Sequence, residues 1–216
     1  MEVSNWPGHG AFLPAGGLNY VVRLSSPWAE CDPVPVLKGF YRWLETRTCN
    51  RAKLLLANTE VMRRKALDHY HCRRVPSVVV HYGVSDVKPS GLTPRPDRVS
   101  ILYMGRAERR KGNDNLIRAM AEVMPRFPQL HITLIGCDPD AYVKRDRELR
   151  GLWRRLRREC GSRIETPGRV DEVEKCRMIE SSHWVVVPSR FESFGQVAIE
   201  AMRAGTPVIA AAVGVR

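Results

Sequence analysis

An α/β chain built on parallel, doubly wound sheets is predicted by two observations. Short apolar runs alternate with segments of helical period along most of the 216 residues, and strand–helix–strand alternation lays strands parallel with helices over their faces. The alternation is interrupted once, at Ser85 to Arg98, where Pro89, Gly91, Pro94 and Pro96 fall with almost no apolar periodicity. Such a composition reads as a linker. The expected organisation is therefore 1–84, a linker over 85–98, and 99–216.

In the first series Tyr20 to Leu24 reads as a strand. Val36 to Arg47 reads as a helix, with Leu37, Phe40, Tyr41 and Leu44 at helical spacing. Leu54 to Ala57 is a buried-strand pattern, Asn58-Thr59 can cap a helix running to about His69, and Val78 to Val80 is a strand closing at Gly83-Val84. The second series reads as strand Ser100 to Met104, helix Asn113 to Met124, strand His131 to Ile135 and one long helix from Ala141 to Cys160. Strand Arg163 to Thr166, helix Asp171 to Ser181, strand Trp184 to Val187, a helix beginning at Ser193 and strand Pro207 to Ala210 complete it.

Composition narrows the function classes. Apolar residues are 44% and charged residues 27%, ordinary for a soluble globular chain. No apolar run approaches the roughly 20 residues needed to span a bilayer, and Met1 to Gly17 lacks a basic segment followed by an apolar core. A cytoplasmic protein is expected. Cys31, Cys49, Cys72, Cys137, Cys160 and Cys176 are scattered without a Cys-x-x-Cys pair, so neither a zinc site nor a disulfide framework is indicated. His69, His71 and Cys72 lie close in sequence but lack further ligands, and read as the flank of a helix end. The net charge of +12 divides as +5 over residues 1–84 (11 basic, 6 acidic) and +7 over 85–216 (24 basic, 17 acidic). A field of that sign attracts phosphates of any kind.

Two segments carry chemistry. Ser193 followed three residues later by Gln196 is a capping-box pattern, which predicts Ser193 as N-cap of a helix through Met202. Glu192 would then precede that helix and Glu200 lie two turns inside it. The amides of Phe194 and Gly195 would face an anion at its positive end, and Gly195 would admit a ligand close to the backbone. Between a strand end and a helix start lies Gly105-Arg106-Ala107-Glu108-Arg109-Arg110-Lys111-Gly112. The carboxyl ends of doubly wound strands form the ligand crevice, so Arg106 and Lys111 can reach an anion there, whereas Arg109 and Arg110 read as a solvated loop.

Glu192 and Glu200, with seven residues between them, followed by Ala201-Met202 and Ala204-Gly205-Thr206-Pro207-Val208, resemble the E-x7-E element of retaining nucleotide-sugar glycosyltransferases of family 4, or group 1. The segment from Gly105 to Gly112 is similar to that family's Gly-Arg-x-x-x-x-Lys-Gly motif. The resemblance implies a GT-B fold of two Rossmann-like domains. It implies that Arg106 and Lys111 bind the donor diphosphate and act in catalysis, that Glu200 contacts the ribose, and that Glu192 lies near the donor sugar and reaction centre. Ser193, Phe194 and Gly195 would line the donor site, and Arg169 and Val170, after Gly168, would frame the nucleobase. No cofactor or metal is implied, with Arg106, Lys111 and helix amides in place of a divalent ion.

Set against the family, 1–84 looks like the second half of an acceptor-side domain and 99–216 like a donor domain lacking its end, so a truncated chain is expected. The reading is a glycosyltransferase that moves a sugar, with retention, from a UDP-, GDP- or ADP-linked donor to a glycan or lipid-linked acceptor. The competing reading is a non-catalytic nucleotide-sugar-binding remnant, different in turnover and not in binding. Lys144 to Cys160 holds eight basic and three acidic residues, with Leu149, Leu152, Trp153, Leu156 and Cys160 on one face. It reads as a core-packed helix with a solvated basic face, and its sharper alternative is contact with an anionic membrane surface. Nucleic acid is disfavoured, because the basic stretches lack interleaved stacking aromatics.

Overall fold

The computed structural model describes residues 1–5, 8–13, 19–25, 38–84 and 90–213. Cys31, the expected helix onset at Val36 and Leu37, and residues 85–89 of the expected linker lie outside the described residues. The chain forms two compact units. The first gathers Met1–Gly83 and Phe191–Phe194; the second gathers Val84–Arg190 and Gly195–Ala212.

The first unit carries a parallel sheet of β1 (Glu2–Ser4), β2 (Val21–Leu24), β3 (Leu54–Ala57) and β4 (Ser77–Val79), in that spatial order. Val22, Leu24, Leu55 and Ala57 point to one buried face, where α1 (Lys38–Asn50) contributes Cys49 and α2 (Glu60–His69) contributes Ala66. Burying such side chains contributes about 1.5–3 kcal/mol each for the larger ones. Thr59 starts α2 from an extended backbone (φ −146°), its side chain accepting from the Met62 amide at 3.1 Å. The helix is released by Tyr70 and by His71, whose φ of +50° is left-handed. β1 was not expected from the sequence. It is short and half polar, and it is held by pairing to β2 and by an Arg23–Glu2 ion pair of 2.6 Å.

The second unit has five parallel strands, β5 (Val99–Met104), β6 (Leu130–Ile135), β7 (Ile164–Gly168), β8 (Trp184–Val187) and β9 (Val208–Ala210), ordered β7-β6-β5-β8-β9. Its helices are α3 (Asn113–Val123), α4 (Pro139–Tyr142), α5 (Arg147–Cys160), α6 (Glu172–Glu180) and α7 (Gln196–Arg203). One face buries Tyr103, Ile132 and Leu134 against Leu116 and Met120 of α3 and Leu149, Trp153 and Leu156 of α5. The opposite face buries Leu102, Met104, Val185 and Val187 with Ile179 of α6 and Ala201 of α7. Winding therefore reverses at β5, and the switch point lies between β5 and β8.

Three details depart from expectation. The single long helix at Ala141 to Cys160 is broken, because Asp146 adopts an extended backbone (φ −118°) and its carboxylate caps the Leu149 amide at 2.9 Å. An aspartate that can bond its own downstream backbone competes with helix continuation. The second half of the expected linker is attached to the second unit: the Ser90 amide donates to Glu180 Oε2 at 2.8 Å, and the Ser90 hydroxyl donates to the same oxygen. Finally, Arg163 lies in a 3-10 turn just before β7 and not in the expected strand, and its Nη1 donates to the carbonyls of Met124, Phe127 and Leu130 at 3.0, 2.9 and 3.2 Å, closing the turn between α3 and β6.

Candidate functional site

The Arg106–Lys111 loop leaves the carboxyl end of β5 at the switch point, where a doubly wound sheet opens its crevice. Its backbone is fixed from beneath. Asn113, at the start of α3 and 4% exposed, sets Nδ2 within 3.1 Å of the Arg106 carbonyl, the Glu108 carbonyl and the Tyr103 hydroxyl. Arg106 itself is 71% exposed and its Nη1 lies 2.9 Å from Glu108 Oε1. Lys111 is half-buried and passes over Gly105, its Cδ 3.8 Å from where a Cβ would stand on that glycine. A 3-10 turn, Arg109–Lys111, then delivers the chain to Gly112 at φ +71°.

The far wall comes from β8. A Cβ on Gly112 would lie 1.9 Å from the Pro188 carbonyl oxygen, so only glycine lets the two walls approach this closely. Arg190 joins them: its guanidinium grips both Asp114 oxygens at 2.6 and 2.7 Å and donates to the Arg109 carbonyl at 2.8 Å, while its amide bonds the Arg110 carbonyl. Burial pushes the Asp114 carboxyl up, but the hydrogen bonds and charge of Arg190 outweigh it and hold the group below its ordinary 3.8. Sequence reasoning missed Asn113, Asp114 and Arg190. The signal available was an Asn and an Asp in the first helical turn after a Lys-Gly, which could have marked a helix start tied to its own loop.

Arg110 corrects an expectation. It is not part of a solvated face: its side chain is only 9% exposed and pairs with Glu108 at 3.3 Å. Arg109 is exposed, as expected.

The Glu192–Glu200 stretch also differs. α7 begins at Gln196, and Gly195, not Ser193, is the residue before it, at φ +78° and with no side-chain cap. A capping box needs an extended N-cap whose hydroxyl reaches the third helical amide, and the left-handed glycine intervenes. In a helix that starts there, the first amides without an intrahelical partner are those of Gln196 and Val197. Glu192, Ser193 and Phe194 group with the first unit, where the Ser193 carbonyl accepts from Thr59 Oγ1 at 3.1 Å and the Phe194 ring lies 5.4 Å from Tyr82 and 6.1 Å from His81. His81 Nδ1 sits 2.9 Å from the Asn58 carbonyl, which requires that nitrogen to carry the proton. Glu192 is half-buried.

Glu200 lies in the second unit at 14% side-chain exposure and 3.1 Å from Lys175 Nζ. It lines a small pocket with Glu172, Lys175, Cys176 and Arg203. Arg169, exposed, and Val170, half-buried, follow Gly168 at the carboxyl end of β7. The Gly168 carbonyl accepts from the Gly136 amide at 2.7 Å. The fold thus gathers Arg106 and Lys111 on one loop of the crevice, and Glu200 with α6.

The sequence holds one Asp-x-Asp triplet, Asp138-Pro139-Asp140. Asp138 is engaged as the N-cap of α4, accepting from the Ala141 amide at 3.1 Å, and Asp140 accepts from Trp153 Nε1 at 2.8 Å. Among the described residues no cluster of three His, Cys, Asp or Glu is arranged to hold a metal ion, and no helix is long and apolar enough to cross a membrane.

Comparison with known proteins fits this geometry. Residues 86–216 match the family described as glycosyl transferases group 1, and the chain belongs to that family. The D-inositol 3-phosphate glycosyltransferase of Corynebacterium aurimucosum is 33% identical over 193 residues, 80% of this chain and 44% of its own length. Its counterpart in Kineococcus radiotolerans is 32% identical over 79% of this chain and 42% of its own. The chain thus spans less than half of the curated relatives it matches. Among solved structures, sucrose-phosphate synthase from Thermosynechococcus elongatus superposes with a TM-score of 0.74 at 24% identity, covering 99% of this chain and 56% of that one. WaaG, a glycosyltransferase involved in lipopolysaccharide biosynthesis, gives 0.69 at 17%, over 92% and 60%. Anabaena HepE, solved with UDP and glucose, gives 0.68 at 22%, over 91% and 53%. The two parallel α/β units are of the GT-B type.

Proposed function

We propose that this chain supplies the donor side of a retaining glycosyltransferase that takes a nucleotide-diphosphate sugar and passes the sugar to a glycan or lipid-linked acceptor held by its first unit. The observation that carries the reading is the Arg106–Lys111 loop at the β5/β8 switch point, stapled in place by Asn113 and Arg190 with the Arg106 side chain left exposed. Arg offers a planar fork of donors and Lys a compact charge, a pairing suited to a diphosphate whose negative charge grows as its bond to the sugar breaks. Glu200 would hold the ribose hydroxyls, Arg169 and Val170 the base, and Glu192 with Ser193, Phe194 and Gly195 the sugar end. The UDP and UDP-glucose in the HepE structures, and the UDP with the pneumococcal O-GlcNAc transferase GtfA, support a nucleotide-sugar donor. No metal takes part in this scheme. A cytoplasmic setting is proposed with it, the basic face of α5 resting on an anionic membrane surface.

The test is nucleotide binding by calorimetry. Arg106→Ala and Lys111→Ala should each weaken UDP, GDP or ADP by more than about tenfold, since a hydrogen bond to a charged group is worth roughly 1.5–3 kcal/mol. The matching nucleosides should be affected little. Equal losses for nucleoside and diphosphate, or none for either, would remove the diphosphate assignment.

A further inference from the structure

The donor reading gives Glu200 a ligand but does not explain the residue that already holds it. Lys175 stands one turn into α6, 3.1 Å from Glu200 Oε1 and 2.8 Å from Glu172 Oε1, its side chain 20% exposed. We propose that Lys175 is a positioning residue for ribose recognition, fixing one oxygen of Glu200 so that the carboxylate is held ready for the vicinal hydroxyls of a nucleotide's ribose. The proposal rests on the donor-site reading of Glu200.

Three features support it. The ammonium is itself anchored. Glu172 holds it from the preceding turn, and α6 is tied down by the Asp171 cap on the Glu174 amide (2.8 Å) and by Thr206 Oγ1 donating to the Ile179 carbonyl (2.8 Å). Its charge is secure: burial pulls Lys175 down, yet hydrogen bonds to Glu172 and Glu200 and their charges more than offset it, raising it above its ordinary 10.5. Its place in the chain is also apt, because α6 begins directly after Arg169-Val170-Asp171. One ammonium therefore connects the segment assigned to the base with the carboxylate assigned to the ribose. A glutamate free to sample its rotamers would lose that freedom on binding, whereas one already clamped does not.

A plain structural ion pair would tie α6 to α7 and have no bearing on sugar recognition. The measurement that separates the two compares whichever of UDP, GDP and ADP binds the full chain most tightly with its 2′,3′-dideoxy counterpart. A site built to bond hydroxyls rejects an analogue lacking them, so the wild type should prefer the ribonucleotide by at least about tenfold. Glu200→Gln should abolish most of that preference. Lys175→Met should cut it by about threefold or more with the dideoxy affinity unchanged, and Lys175→Arg should restore much of it. Glu172→Gln, which keeps Lys175 but removes its second anchor, should give an intermediate loss and serves if Lys175→Met does not fold. Full preference in Lys175→Met or Glu172→Gln, with the preference lost in Glu200→Gln, overturns the role of Lys175 alone. Full preference in Glu200→Gln overturns the ribose reading, and absence of any nucleotide binding overturns both.

Discussion

Gly112→Ala is the sharpest probe of how the crevice is built, because Gly195→Ala provides an internal control. Both glycines are left-handed, at φ +71° and +78°, so alanine at either position incurs about 1–2 kcal/mol of backbone strain. They differ in surroundings: a Cβ at Gly195 meets nothing within 4 Å, whereas at Gly112 it would stand 1.9 Å from the Pro188 carbonyl oxygen and 2.7 Å from its carbon. Backbone cannot swing aside as a flexible side chain does, so the loop or the end of β8 must shift, at an overpacking cost of roughly 1–3 kcal/mol. Gly112→Ala should therefore lose about 2–5 kcal/mol and Gly195→Ala about 1–2. With two units present, a single melting curve mixes transitions. Hydrogen exchange of peptides around each glycine, from β5 and α3 for Gly112 and from α7 for Gly195, reads the local opening free energy instead. Equal losses at the two glycines would show that the walls yield freely, and would refute the close-approach argument.

Acid should weaken the same wall. Arg190 holds Asp114 below 3.8, and a depressed carboxylate stabilises the fold above its unfolded value and loses that contribution as pH falls through its folded value. Exchange protection of the Arg109–Asn115 region should decline as pH is lowered through about 4 and below, and Asp114→Asn should flatten that decline; an unchanged acid profile in the variant would exclude the pair as its source. Reversing the charges of Arg154, Arg155 and Arg158, all exposed on α5, should reduce flotation with anionic vesicles at low salt, since the attraction fades within a Debye length of about 8–10 Å. Arg157 is spared because it stacks on Trp153 and donates to the Ile164 carbonyl. Wild-type protein that ignores such vesicles would leave the basic face solvated only.

The parts of the fold legible in the sequence are those set by local apolar pattern. Leu54–Ala57 and Trp184–Val187 carry the strand bounds expected from their apolar runs, and Thr59 caps α2 as an Asn-Thr pair before an apolar period should. What was not legible depends on tertiary partners or on backbone conformations that several residues permit. β1 needs β2 to exist at all. Ser193 satisfied a local capping rule, but the following glycine turned left-handed and took the helix start for itself. At the candidate site, Arg106, Lys111 and Glu200 could be singled out by motif. Arg190 and Lys175 could not, because each acts through a partner between 25 and 81 residues away.

Arg163 bears on how this unit can vary in length. Surface turns ordinarily accept insertions because few bonds depend on their span. The turn after α3 is different, since one guanidinium nitrogen reaches three of its carbonyls at Met124, Phe127 and Leu130. A residue added or removed within that stretch would carry at least one carbonyl out of reach and leave it to find water. The α3–β6 connection is thus a gauge of fixed size set by the start of β7, and length changes in this unit fall more easily in turns that no distant side chain measures.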